Sequence, residues 1–313
     1  MNPSDIIPNM TLKDKVAYGS GQSYWRTKAF SQYAIPSIKL NDGPHGLRQQ
    51  DDDVNMLGVH DAKPATCFPT SAATACSWDR SLERAIGEAI GREAAVAGVS
   101  VILGPGNNIK RNPLCGRNFE YYSEDPVLSG HMAAAFVQGI QSQGIGATVK
   151  HFAANNQEYK RFSSNSVMDE RTLREIYLKA FEIVVKQAQP KLVMSSYNKL
   201  NGIYTSNHSK LLHDILRQEW GFEGMVVTDW GGLYDRIEAY KAGLDLVMPG
   251  GSHYMEKEVV QAIEAGQLDE ALVDQAVERL LKTVAETDPE TKQPITFSYE
   301  DHHQLALRAA TES

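Results

Sequence analysis

Short apolar runs, each followed by a loop and an amphipathic helix, constrain this chain more than any other feature of its sequence. Strand candidates fall at 37–41, 70–76, 99–103, 147–152, 192–197, 225–229 and 244–248. They are brief and apolar throughout, as strands covered on both faces of a parallel sheet should be. Helices are expected between them, over 79–97, 126–143, 210–219, 233–242, 254–265 and 271–285. Asp79 is placed to cap the first of these and Pro126 to open the second. After Asp169, residues Leu173, Ile176, Tyr177, Ala180, Phe181, Val184 and Val185 recur at intervals of three and four and form one apolar helical stripe. An open doubly wound sheet usually stops at five or six strands, so this alternation favours closure into a (β/α)8-type TIM barrel. Seven or eight strands are expected, with any irregularity or shortfall at the first.

Bulk properties narrow the partners. The 313 residues, 42 % hydrophobic and 22 % charged, suffice for one large domain with a real core. Lys plus Arg number 31 against 39 Asp plus Glu, a net charge of -8 without any basic run, which excludes nucleic acid as a partner. No run of about 18 apolar residues is present to span a membrane. The N-terminus lacks the basic start and apolar stretch of a signal peptide, so the sequence as given reads as cytoplasmic. Cys67, Cys76 and Cys115 are odd in number and never closely paired, against a disulfide framework or a cysteine zinc site. They are expected to fill space in the core. No metal-ligand spacing is recognisable. From 287 to 299 the apolar periodicity gives way to Pro, Thr, Lys and Asp, which reads as a linker. The barrel is therefore assigned to 1–286, and 287–313 to a linker and the first residues of a truncated second domain.

Active-site groups of a barrel lie at the C-terminal ends of its strands. Asp42, Lys150 with His151, Tyr197 with Asn198, and Asp229 with Trp230 all fall at such ends, on four separate runs, and should ring one pocket. A lone Asp after a strand commonly does no more than cap a helix. Asp229, however, precedes Trp230, Gly231 and Gly232, where a glycine pair gives the backbone room beside a ligand. A carboxylate next to an indole suits a sugar, one reaching the anomeric carbon and the other covering an apolar face. Lys150 and His151 together are too cationic for a core position without partners. The loop RNPLCGRNFEYYSEDP sets Arg111, Arg117, Glu120, Glu124 and Asp125 among three aromatics, a pattern that fits either a binding loop or a structural ion-pair loop.

DGPHGLR from Asp42, GRNFEYYSEDP from Gly116, KHFAANNQE from Lys150, MSSYNKLNG from Met194 and GFEGMVVTDWGG from Gly221 together resemble the barrel domain of glycoside hydrolase family 3. The resemblance implies a retaining β-glucosidase whose barrel is followed by an α/β sandwich domain. It makes Asp229 the nucleophile and puts Asp42, Arg117, Lys150, His151, Arg161 and Tyr197 in the sugar subsite, with Trp230 against the ring. The substrate would be a β-glucoside or oligosaccharide and the product glucose, with β-xylosidase or a related exo-glycosidase as the nearest alternative. No cofactor is needed. One branch of the family carries a His acid in a Gly-rich loop after the KHF motif; AANNQEYKRFSSN here has none. In the larger branch the acid/base is a Glu of the second domain, so it is expected outside this chain. Glu158 is the one barrel carboxylate that could stand in, and it reads better as a structural residue of its loop. Lys150 and Arg161 are expected to keep the Asp229 pKa low. Rivals of other classes are a sugar-binding barrel without catalysis and an aldolase using Lys150 as a Schiff base.

Overall fold

In the computed structural model, which describes residues 2–50, 62–250, 253–288 and 294–313, the expected alternation becomes a curled parallel sheet wrapped by helices. The strands in chain order are β1 (Leu40–Asp42), β2 (Val101–Leu103), β3 (Gly146–Phe152), β4 (Asn165–Ser166), β5 (Leu192–Ser195), β6 (Lys199–Leu200), β7 (Ile203–Tyr204) and β8 (Met225–Val227). β1, β2, β3, β5 and β8 lie side by side in that order, all parallel. The small sheet β4-β6-β7 is built from the loops that follow β3 and β5. Isolated bridges carry the pairing onward from Val227 to Leu246, Val247 to Ser20, Gly21 to Thr27 and Arg26 to Lys39. The chain of pairings thus returns to the residue before β1, as a TIM barrel with an irregular first strand requires.

Side chains of these strands alternate between two apolar environments, which is why their sequences show no polar alternation. Val101 and Leu103, Leu192 and Met194, and Met225 and Val227 join one buried cluster with the N-terminal segment and the helix over 270–287. The intervening Ile102, Val193 and Val226 join a second cluster with the helical residues Ile90, Phe136, Ile140, Phe181, Val184 and Ile215. The period of two is that of a pleated strand, and both faces are covered.

The helices are α1 (Pro3–Ile6), α2 (Leu12–Tyr18), α3 (Ser71–Thr74), α4 (Arg80–Val96), α5 (Pro126–Ser142), α6 (Glu170–Thr172), α7 (Lys179–Ala188), α8 (Arg236–Ala242), α9 (His253–Glu264), α10 (Glu270–Thr287) and α11 (Tyr299–Glu312). Asp79 and Asp125 cap α4 and α5 by accepting from the second and third backbone N–H of each helix. α4 and α5 pack with their backbones close at Gly87 and Gly139: a Cβ on Gly87 would meet the Phe136 carbonyl at 2.4 Å. The expected helix after Asp169 is not uniform, because Leu173–Tyr177 winds as a wide π-type turn between α6 and α7. Lys210–Glu219 winds in the same way.

Three expectations need correction. The run at 70–76 is helical, α3 followed by a 3-10 turn over Ala75–Ser77. Its small residues carry little β preference, and Thr74 N–H bonds back to the Thr70 carbonyl. The run at 244–248 contributes bridges rather than a strand. Of the cysteines only Cys115 is buried, while Cys67 and Cys76 are exposed, the latter on the outer side of the turn after α3. Part of the expected linker, 289–293, lies outside the described residues. α11 beyond it packs on the barrel: Ala306 and Ala309 are buried, and His302 Nδ1 lies 2.6 Å from Glu93 of α4.

Candidate active site

Because β1, β3, β5 and β8 run parallel, their C-terminal ends point one way, and the polar residues placed there converge. Asp42 ends β1, Lys150 and His151 belong to the last turns of β3, Tyr197 follows β5, and Asp229 follows β8. Arg117 and Glu120 enter from the loop between β2 and α5. Lys150 donates to Asp42 Oδ1 at 3.2 Å and lies 3.8 Å from Glu120 Oε2. Arg117 Nε pairs with Glu120 Oε1, and its Nη1 is 3.8 Å from Asp229 Oδ2. His151 Nε2 stands 3.5 Å from the same oxygen. Lys150, His151, Glu120 and Asp229 are all buried, whereas the Asp42 side chain keeps 31 % of its exposure. Asp42, Arg117, Glu120 and Lys150 line a cavity of roughly 460 Å³ that opens past His45, Arg48 and Phe119.

Asp229 is the unusual carboxylate. Its Oδ1 accepts from the Trp230 N–H at 2.7 Å, but its Oδ2 has no hydrogen-bond donor. Burial raises its pKa; Arg117, Lys150, the Trp230 N–H and the nearby Tyr197 hydroxyl, whose own proton goes to the Trp230 carbonyl, oppose that without reversing it. The expectation that Lys150 and Arg161 would hold this pKa low is therefore corrected on two counts. Burial outweighs the cations, and Arg161 is engaged elsewhere. Its Nη1 donates to Glu158 at 2.9 Å, and its guanidinium lies 4.6 Å from the Tyr197 ring centre.

His151 is neutral, since burial first, then Arg117, Lys150 and Arg161, push its pKa well down. His45 is likewise lowered, to about 4, chiefly by burial. Tyr197 donates its O–H to the Trp230 carbonyl at 2.7 Å, and Trp230 donates its indole N–H to the Tyr24 carbonyl at 2.7 Å. The turn beyond Asp229 needs its glycine, because Gly231 has a φ of 78°.

Asp42, Arg117, Lys150, His151, Tyr197, Asp229 and Trp230 thus meet in one region, with Arg161 at its rim, whereas Arg111, Glu124 and Asp125 of the same loop as Arg117 are exposed and Asp125 caps α5. Sequence reading missed Tyr24, whose carbonyl anchors Trp230 and whose phenol feels the fields of Asp42 and Asp229. Nothing in the stretch around Tyr24 marks it, because the bridges at Gly21 and Arg26 that carry it to the barrel mouth are long-range. It also left out His45, though that residue stands in the DGPHGLR stretch.

The chain is similar to known proteins over most of its length. A family model described as "Glycosyl hydrolase family 3 N terminal domain" matches residues 55–283. The thermostable beta-glucosidase B of Acetivibrio thermocellus is 49% identical over 308 residues, covering 98% of this chain and 41% of that protein. An exo-alpha-(1->6)-L-arabinopyranosidase of Bifidobacterium breve is 42% identical over 309 residues, again 98% of this chain and 41% of the other. Among solved structures, beta-glucosidase 3B from Thermotoga neapolitana in complex with glucose superposes with a TM-score of 0.91 at 40% identity, covering 99% of this chain and 46% of that one. The chain spans about two-fifths of the length of these curated relatives.

Proposed function

As the chain belongs to glycosyl hydrolase family 3, matching its N-terminal domain, we propose that it forms the barrel of a retaining exo-β-glucosidase with Asp229 as nucleophile. One observation carries the proposal: Asp229 Oδ2 is a buried carboxylate oxygen with no hydrogen-bond donor, 3.8 Å from the Arg117 that lines the cavity. The other nearby carboxylates are occupied, Asp42 by Lys150, Glu120 by Arg117, and Glu158 by Arg161. Oδ2 attacks the anomeric carbon of a terminal β-glucosyl residue, the bond to the aglycone oxygen breaks, and an ester forms on Asp229. Water then attacks the same carbon and frees β-glucose. Arg117 and Lys150 flank the carboxylate, and Asp42 and Lys150 take sugar hydroxyls as acceptor and donor.

The departing oxygen needs a proton and the water a base. Asp42, Glu120 and Glu158 already accept from Lys150, Arg117 and Arg161, which supports the reading that the acid/base comes from a C-terminal domain. Lys150 Nζ is engaged with Asp42 at 3.2 Å and faces Glu120 at 3.8 Å, which supports a binding role over Schiff-base chemistry.

The relatives include a beta-glucosidase and an arabinopyranosidase, so substrate class is the finer half of the proposal. A 2-deoxy-2-fluoro-glucoside with an activated leaving group should add one fluoroglucosyl mass to the peptide holding Asp229, and faster than its xylosyl and arabinopyranosyl counterparts. Attachment to another residue, or none, would remove the nucleophile assignment and leave a sugar-binding barrel.

A further inference from the structure

Behind His151 runs a chain of hydrogen bonds, buried at Tyr121 and Asn155 and half-buried at Glu158, that the proposed chemistry does not use. Glu158 Oε2 accepts from Arg161, and its Oε1 accepts from Asn155 Nδ2 at 2.9 Å. A carboxylate held by an arginine only accepts, so the Asn155 amide must turn its NH2 toward it. The same Nδ2 donates to the Tyr121 hydroxyl at 3.1 Å, and that hydroxyl lies 3.0 Å from His151 Nδ1. The Tyr121 oxygen therefore accepts a hydrogen bond from Asn155 and donates its own O–H to the ring. Nδ1 is the acceptor, and the single proton of the neutral ring falls on Nε2.

From this we infer that Tyr121 is a positioning residue: it fixes His151 as the Nε2–H tautomer and aims that N–H at Asp229 Oδ2. Both Nε2 and Oδ2 are buried and otherwise without hydrogen-bond partners. With the proton on Nε2 their 3.5 Å contact is attractive; the other tautomer would set a lone pair against the carboxylate. The same chain gives Glu158 its work. It is the residue that orients Asn155, and thereby Tyr121, rather than a stand-in acid. The functional consequence rests on the reading of Asp229 as nucleophile; the tautomer does not.

The test is nitrogen-15 NMR of the histidine-labelled chain, with His151 assigned by the signals lost in His151→Gln. The wild-type spectrum should show one protonated nitrogen, Nε2, and one bare nitrogen, Nδ1. In Tyr121→Phe the two signals should move toward each other as the tautomers mix. Glycosylation by an activated aryl glucoside should slow roughly tenfold to a hundredfold, the scale for one hydrogen bond to a charged group. A wild-type ring protonated on Nδ1 overturns the inference, and that measurement needs no variant to fold. So does a Tyr121→Phe protein that keeps both the wild-type spectrum and the wild-type rate. The nitrogen signals report the tautomer whether or not Asp229 is the nucleophile, so failure here and failure of the trapping experiment are separate results.

Discussion

Two buried aspartates flank the same strand and are treated in opposite ways. Asp245, at the base of the barrel, has no exposure and no unmet oxygen. Its Oδ1 accepts from Arg279 at 3.0 Å, and its Oδ2 accepts from Arg217 and from the Val226 N–H, each at 2.7 Å. It ties α10 and the π-wound helix to β8. Asp229, beyond the other end of β8, has its cations at arm's length and one oxygen without a donor. Glu83 of α4 is a third case. It has one donor, the Tyr122 hydroxyl at 2.7 Å, and no cation, and burial lifts its pKa to about 7. A buried carboxylate either is fully paired, keeps its proton, or stays charged and under-bonded at a cost. Glu83 Oε2 also lacks a partner, so what sets Asp229 apart is the Arg117 and His151 that face its free oxygen.

The largest effect should come from Asp229→Asn. It keeps the shape and removes the attacking charge, so turnover on an activated aryl glucoside should fall by several powers of ten while glucose binding largely persists. Folding should not suffer. Near-normal turnover would erase the contrast between the two aspartates.

Asp245→Asn should do the reverse. It leaves the buried Arg217 guanidinium and the half-buried Arg279 short of a counter-charge, at a cost of about 3–5 kcal/mol in unfolding free energy, with chemistry per folded molecule nearly intact. Denaturant melts paired with active-site titration separate the two quantities. A stable but inactive variant would mean that the base of the barrel takes part in the reaction.

Asp42→Ala should weaken glucose-like inhibitors by about 2–4 kcal/mol, because sugar hydroxyls lose a charged acceptor. Deoxy sugars lacking those hydroxyls should lose little further affinity in the variant. Additive losses for every deoxy sugar would assign Asp42 to the fold instead.

The smallest effect concerns Glu83→Gln and depends on pH. Because the folded state raises the Glu83 pKa from 4.5 to about 7, the native chain holds that proton more tightly than the unfolded chain. The cost of ionising it is absent below the unfolded value, grows as pH rises toward 7, and is constant above. Gln keeps an acceptor for Tyr122 and carries no such cost. The Tm of Glu83→Gln relative to wild type should therefore rise between pH 4 and pH 8. A pH-independent difference would show that Glu83 ionises freely.

The sequence by itself determined the architecture and the cast of the site. Short apolar strands followed by capped amphipathic helices allow few folds, because each apolar surface must be covered and each strand end must feed the next helix. Asp42, Lys150, His151, Tyr197 and Asp229 were legible as one set because parallel strands bring their ends to one side. Where a run was made of small residues, as at 70–76, the sequence carried no β preference strong enough to read, and local backbone bonding decided for helix. The tertiary structure alone decided which charges pair. Arg161 reaches Glu158 and the Tyr197 ring instead of Asp229, and Arg117 takes the place beside Asp229 Oδ2. It also brought Tyr24 to the barrel mouth, 206 residues from the Trp230 it holds. Pairing, burial and the pKa values that follow depend on distances of a few ångströms between residues far apart in the chain. No local pattern encodes those distances, because they are set only once the strands have closed on one another.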